Sequence, residues 1–410
     1  MTPGTPAATS DAARQQAVHV VQISRDGDLL RLPSSSEPVQ RQLDYARELS
    51  LRAPGSIVTI IVFTSATAGL GWRRENVHVV PVPASARGAL ALPGILQALH
   101  RTTPISVITT QVPYDEGWLA LALGRWHRIP VIAQIHSDLF AGSPRAGIGR
   151  RLTSAMHHWF TRTMLSRFAA VRTVSSSNRT AVARVAPRVP LATIPVPVPM
   201  VPSRRSAASC DPAKEPLVLF VGRLAPEKHL FTWLQVASVI SRRHPEARFV
   251  IAGDGPELAR LQVAAVKLGL ARVIEFAGFV PYCELPRLYA KATAVLLTSP
   301  AEGFARVLVE AASQGTAAVS TASAGPRDVV INGVTGFLHE VEDVAALADS
   351  VCVLLREPAR AAMMGAQART LVSVKFNPQR LRSAWVDLWV TTAGQAASAS
   401  ASLRRDRPSK

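Results

Sequence analysis

Residues 216–228, PLVLFVGRLAPEK, and residues 294–316, AVLLTSPAEGFARVLVEAASQGT, decide how this chain folds. Each begins with a short apolar run, breaks at glycine or proline, and continues into a helical pattern. A buried strand that feeds a helix reads this way. Three more runs, ARFVIAG (247–253), VIEFAG (273–278) and TAAVST (316–321), lie around them, with helical stretches such as FTWLQVASVISRR (231–243) between. Strands alternating with helices predict a parallel sheet covered on both faces.

Upstream, a second series has the same character: VHVVQI (18–23), SIVTIIVF (56–63), NVHVVPVP (76–83), ISVITT (105–110) and IPVIAQIH (129–136), alternating with helical patterns at 37–50 and 117–128. A chain of 410 residues is long for one domain and suits two, each with its own core. The stretch 195–216, PVPVPMVPSRRSAASCDPAKEP, is stiffened by proline and cannot build a core, which marks a boundary. The expected layout is a disordered tail (1–16), a first Rossmann-like domain (17–200), a linker (201–215), a second Rossmann-like domain (216–375), a helix (376–393) and a disordered basic tail (394–410).

The net charge is +18, from 46 basic and 28 acidic residues, and only six of the basic residues are lysine. Such an excess suits phosphorylated substrates and anionic surfaces. Residues 150–168 place Leu152, Met156, Trp159, Phe160, Met164, Leu165 and Phe168 at helical spacing among arginines, a candidate membrane-facing helix. The first sixteen residues lack a signal-peptide block and no apolar run reaches the length of a membrane span, so a cytoplasmic protein is expected. Cys210, Cys283 and Cys352 are too few and too scattered for a disulfide framework or a metal site.

In open parallel sheets ligands bind beyond the carboxyl ends of the strands, which makes the residues after each strand the candidates. Arg223 and Lys228 follow 216–222 and can neutralise a diphosphate. Gly303, Phe304 and Ala305 open a helix whose amides and dipole favour an anion. Glu302 at that mouth can bind sugar hydroxyls, and Glu310, about two turns on, can reach a ribose. Gly253 to Gly255 read as a structural turn, with Asp254 given no chemical role. In the first half, His136 ends the strand 129–135. Ser24, Arg25, Asp26, Asp115 and Glu116 hold similar strand-end positions as acceptor-site candidates. No G-x-G-x-x-G follows a strand, which argues against a nicotinamide dehydrogenase.

Taken in order, GRLAPEK, AGDGP, EGFARVLVEA and NGVTGFL over residues 216–355, with QIHSD at 134–138, resemble the family 4 retaining glycosyltransferases of GT-B fold. The resemblance implies two Rossmann-like domains facing across a cleft, and an α-glycosidic bond made from a UDP-, GDP- or ADP-sugar. By the same resemblance Arg223, Lys228 and the amides of Gly303, Phe304 and Ala305 hold the diphosphate, Glu310 the ribose, and Phe279 and Val280 the base. Glu302 contacts the sugar and His136 lies near the anomeric carbon. No cofactor or metal is expected, since no Asp-x-Asp motif appears and the two cations can take a metal's electrostatic role. The basic charge and the helix around Trp159 lead to the expectation of a lipid-linked or saccharide acceptor at the inner membrane face, with no nucleic acid partner. Two departures stand out: Ala305 replaces a common glycine, and RDGDLLRLPSSSEP (25–38) replaces paired glycines. They suggest a non-catalytic donor-binding subunit as one alternative; a nucleotide-sugar epimerase or a phosphorylase on the same architecture is another.

Overall fold

The computed structural model describes residues 16–31, 36–65, 71–111, 115–136, 159, 162–200 and 215–405, with backbone alone at 115 and 399–405. The described residues fall into two compact units, Met1–Thr109 with Ala122–Val131 and Val386–Lys410, and Thr110–Leu121 with Ile132–Trp385.

One sheet contains β1 (His19–Ser24), β2 (Ile57–Thr64), β3 (Trp72–Arg74), β4 (Val77–Pro83), β5 (Val107–Thr110), β6 (Val131–Ile135), β7 (Ala170–Thr173) and β8 (Leu191–Thr193), in the order β3-β4-β2-β1-β5-β6-β7-β8. Its helices are α1 (Glu37–Arg52), α2 (Ala86–Thr102), α3 (Asp115–His127) and α4 (Ser176–Val185). β3 runs antiparallel to β4, an edge strand that the apolar pattern did not announce because its sequence is WRR.

The second sheet contains β9 (Glu215–Val221), β10 (Arg248–Ala252), β11 (Ile274–Gly278), β12 (Ala292–Leu297), β13 (Ala317–Thr321) and β14 (Gly336–His339), in the order β11-β10-β9-β12-β13-β14. All its pairings are parallel. Helices α5 (Leu230–Arg243), α6 (Leu258–Lys267), α7 (Leu285–Lys291), α8 (Arg306–Ser313), α9 (Ala324–Val329), α10 (Val344–Arg356) and α11 (Pro358–Lys375) connect or cover its strands. The chain winds outward from β9 to β11 and returns to β12 on the other side of β9. The loops after β9 and β12 therefore meet at a topological switch point, where such sheets open a crevice.

Trp233 of α5 shows how the core fixes those loops. It is fully buried, meets Phe249 edge-on at 6.1 Å between ring centroids, and donates its indole N–H to the Leu296 carbonyl at 3.1 Å. The packing ties the helix after the first loop to the strand before the second.

The final helix, α12 (Pro378–Arg405), corrects the expectation of a disordered end from 394. Its tail is rich in alanine, the strongest helix former, with no proline to stop it before Arg405. Of the expected basic helix at 150–168, residues 150–158 and 160–161 lie outside the described residues, as do residues 1–15, 201–214 and 406–410. Leu165 and Phe168 are buried, whereas Trp159 is 65% exposed. Among the described residues no helix is long and apolar enough to cross a membrane. Cys283 and Cys352 are free thiols, and Cys210 lies outside the described residues.

Gly253 holds φ at +149°, and a Cβ there would collide with the Gly222 carbonyl oxygen, so Gly253→Ala is both strained and crowded. That substitution should cost about 3 kcal/mol. Gly94 in α2 has nothing within 4 Å of a Cβ, and Gly94→Ala should add about 1 kcal/mol of helix stability. Chemical denaturation of the two variants beside wild type tests both signs.

Candidate active site

After β9 the backbone passes through Gly222 and Arg223 and runs against the next loop. The Gly222 N–H bonds the Ala252 carbonyl at 3.0 Å, the Leu224 N–H bonds the Asp254 carbonyl at 2.9 Å, and the Glu257 N–H returns to Leu224 at 3.1 Å. A side chain at Gly255 would strike the Leu224 backbone. The turn at 253–255 is a brace for the loop carrying Arg223, the structural role its sequence suggested.

Arg223 is exposed, and its guanidinium makes no ion pair among the described residues. Five residues on, Lys228 pairs through Nζ with Glu302 Oε1, both side chains being largely buried. The Thr298 hydroxyl donates to the carbonyls of Lys228 (3.2 Å) and His229 (3.1 Å), anchoring the lysine's loop to the end of β12. His229 adopts φ +48°, a left-handed turn that lets α5 start immediately after Lys228. The structure thus joins Lys228 and Glu302, two residues that sequence reasoning gave to separate jobs.

Glu302 leads into the start of α8. The Gly325 N–H bonds the Glu302 carbonyl at 2.6 Å, and a Cβ at Gly325 would meet the backbone of Phe304 and Ala305. Helix α9 therefore presses the 302–305 segment into place. Among the described residues the amides of Gly303, Phe304 and Ala305 have no backbone acceptor, whereas the Arg306 N–H bonds Phe304 at 3.0 Å. Those amides precede a helix start whose dipole favours an anion. Ala305 takes φ −81° and ψ 70°, which needs no glycine, and is 1% exposed. Its methyl is packed inside the protein.

Glu310 is buried at 7% exposure, so it is no solvated helix carboxylate. Arg306 Nε donates to its Oε1 and the Tyr289 hydroxyl to its Oε2, each at 2.8 Å. Arg306 also lies 5.3 Å above the Tyr282 ring. A small cavity of about 10 Å³ is bounded here by Tyr282, Leu285, Tyr289 and Glu310. The i,i+4 spacing of Arg306 and Glu310 was a legible signal for one half of this clamp. Nothing in the sequence pointed to Tyr289, which arrives from α7.

Phe279 follows β11 and is 77% exposed, a free aromatic face at a strand's carboxyl end, with Val280 half-buried beside it. His136, after β6, is half-buried and its Nε2 lies 3.3 Å from Gln134 Oε1. Ser24 is buried and accepts from the Asp26 N–H at 3.0 Å. Asp26 in turn accepts the Asp28 N–H at 3.1 Å, capping a short 3-10 turn at Gly27–Leu30. Burial raises the Asp26 carboxyl above its ordinary range. Leu29 of that turn is fully buried and its carbonyl accepts the Trp72 indole N–H at 2.9 Å. Where the resemblance led one to expect paired glycines, this chain has a capped and anchored turn. Glu116 is buried; the Asp115 side chain, Ser137 and Asp138 lie outside what is described.

Comparison with known proteins bears on the family and the fold. The family model described as glycosyl transferases group 1 matches residues 205–371, and that of a glycosyl transferase 4-like domain matches residues 44–197. Glycogen synthase of Mycobacterium tuberculosis is 29% identical over 287 residues, 68% of this chain and 68% of that protein. A GDP-mannose-dependent alpha-(1-6)-phosphatidylinositol monomannoside mannosyltransferase of Mycolicibacterium smegmatis is 33% identical over 161 residues, 38% of this chain and 42% of its own. The crystal structure of Anabaena HepE with UDP and glucose superposes with a TM-score of 0.66 at 20% identity, covering 94% of this chain and 100% of that one.

Burial, reinforced by the Glu310 charge, holds the Tyr289 phenol well above its usual range. A phenol raised in this way contributes stability fully present below the unfolded value of about 10, lost as pH rises through the folded one. Tyr289→Phe should therefore flatten the alkaline side of the stability profile. In an ultraviolet titration of the folded protein, the same variant should leave the phenolate signal near pH 10 unchanged.

Proposed function

Since the chain belongs to the glycosyl transferases group 1, with a two-domain GT-B fold, we propose that it is a retaining enzyme, moving a sugar from a nucleoside diphosphate to an acceptor hydroxyl. The observation that carries this reading is the switch-point cluster: a solvent-facing arginine, a Lys228–Glu302 pair and three amides without backbone acceptors before α8.

Arg223 and Lys228 take the diphosphate together with the amides of Gly303, Phe304 and Ala305. Negative charge grows on the departing diphosphate as the glycosidic bond breaks. Cations and amides fixed in advance therefore stabilise the transition state more than the ground state. Bond formation on the same face keeps the α configuration, and the acceptor's proton passes to the leaving phosphate. The Glu302 carboxylate, held by Lys228, receives sugar hydroxyls, and Glu310, held by Arg306 and Tyr289, receives those of the ribose. Phe279 and Val280 offer the base an apolar face, and His136 faces the sugar. The two cations supply the charge that a metal would otherwise bring, so the reaction is metal-independent. The basic composition and the exposed Trp159 favour a lipid-linked or saccharide acceptor at the cytoplasmic face of a membrane, in polysaccharide or glycolipid assembly.

The test is turnover by purified protein on a panel of UDP-, GDP- and ADP-sugars, with and without EDTA. One donor should be consumed, EDTA should change nothing, and Glu302→Ala should lower the rate about a hundredfold or more. Release that needs a divalent ion, or that survives in Glu302→Ala, would count against the reading.

A further inference from the structure

A cavity of about 490 Å³ lies within the first unit, between α12 and the segments that lead into three neighbouring strands, β1, β5 and β6. Small-molecule sites have volumes of roughly 300–1,000 Å³. Residues 16–18, 105–106 and 128–130 form one side, each just before its strand. The cavity therefore sits at the opposite end of those strands from their carboxyl ends, where ligands of such sheets are expected. The other side is one face of α12, where Val390, Ala393, Gly394 and Ala397 recur at helical spacing. Alanine and glycine there leave the space unfilled, and a Cβ added at Gly394 would have no atom within 4 Å.

The walls are largely aliphatic. Among the described residues that line them there is one charged side chain, Arg128, and no carboxylate. Arg128 follows the last residue of α3 at φ +57°, a left-handed turn that glycine adopts freely and arginine only at a cost. Its guanidinium is exposed and makes no ion pair, hydrogen bond or ring contact among the described residues. A strained backbone position thus presents an unneutralised cation to an aliphatic cavity. Paired guanidinium donors match a carboxylate or a phosphate, and aliphatic walls favour hydrocarbon over water.

We propose that this cavity binds an amphiphilic anion, an alkyl chain ending in a carboxylate or phosphate, with the chain along α12 and the anionic end on Arg128. The site is separate from the donor crevice and needs no nucleotide.

The experiment is calorimetric titration of the full chain with decanoate, decyl phosphate, decanol, acetate and inorganic phosphate, all below micelle-forming concentrations. Both alkyl anions should bind, the tighter of the two identifying the head group, with decanol at least about tenfold weaker and the two short anions not bound. Arg128→Gln should weaken both alkyl anions about tenfold and leave decanol unchanged. Gly394→Leu puts a side chain into the open space and replaces glycine inside a helix, so it should abolish binding while raising the thermal midpoint. Failure of both alkyl anions to bind the full chain overturns the proposal, as it would if residues 1–15 filled the space. Decanol binding as tightly as decanoate, or undiminished binding in Gly394→Leu, overturns it as well.

Discussion

The ion pair of Lys228 with Glu302 joins the two loops that the switch point of the second sheet brings side by side. Each partner sits where it does because backbone fixes it. Thr298 holds the lysine's carbonyl, and Gly325 presses on the carbonyl of the glutamate. An ion pair this far from solvent is a weak source of stability, because the two ions lose hydration in forming it. Its value lies in placement, keeping a cation and a carboxylate in register at the mouth of α8, beside amides that have no backbone acceptor. A diphosphate arriving there meets a charge pattern that needs little reorganisation.

Glu310 follows the same principle deeper in. A carboxylate at 7% exposure is costly unless its oxygens are bonded, and Arg306 and Tyr289 bond both. The three side chains come from two helices, α7 and α8, so the clamp also reports on how those helices pack. In the other half, Arg172 is buried at 2% exposure and donates to Gln134 Oε1 and to the carbonyls of Ile194 and Pro195.

The alternation of short apolar runs with helical patterns made both sheets legible, since a buried parallel strand has few other readings. The edge strand at Trp72–Arg74 was not legible, because two exposed arginines carry no apolar signal. Glu302, Glu310, Lys228 and Arg223 could be named because their spacing from strand ends is short and fixed by one loop each. Tyr289 could not be named. Its contact with Glu310 depends on which helices become neighbours, and proximity across about twenty residues leaves no local trace. The tail beyond 393 was misjudged because small residues suggest disorder, whereas alanine at helical length favours a helix.

The central claim is that a nucleoside diphosphate is held between Arg223 with Lys228 and the amides of residues 303–305. A crystal structure of the protein with the nucleoside diphosphate of its donor tests this most directly. Phosphate oxygens should lie on the amides of Gly303, Phe304 and Ala305, with Arg223 turned in from solvent onto the diphosphate. A nucleotide bound elsewhere, or one that leaves Arg223 in solvent and those amides without phosphate, would contradict it.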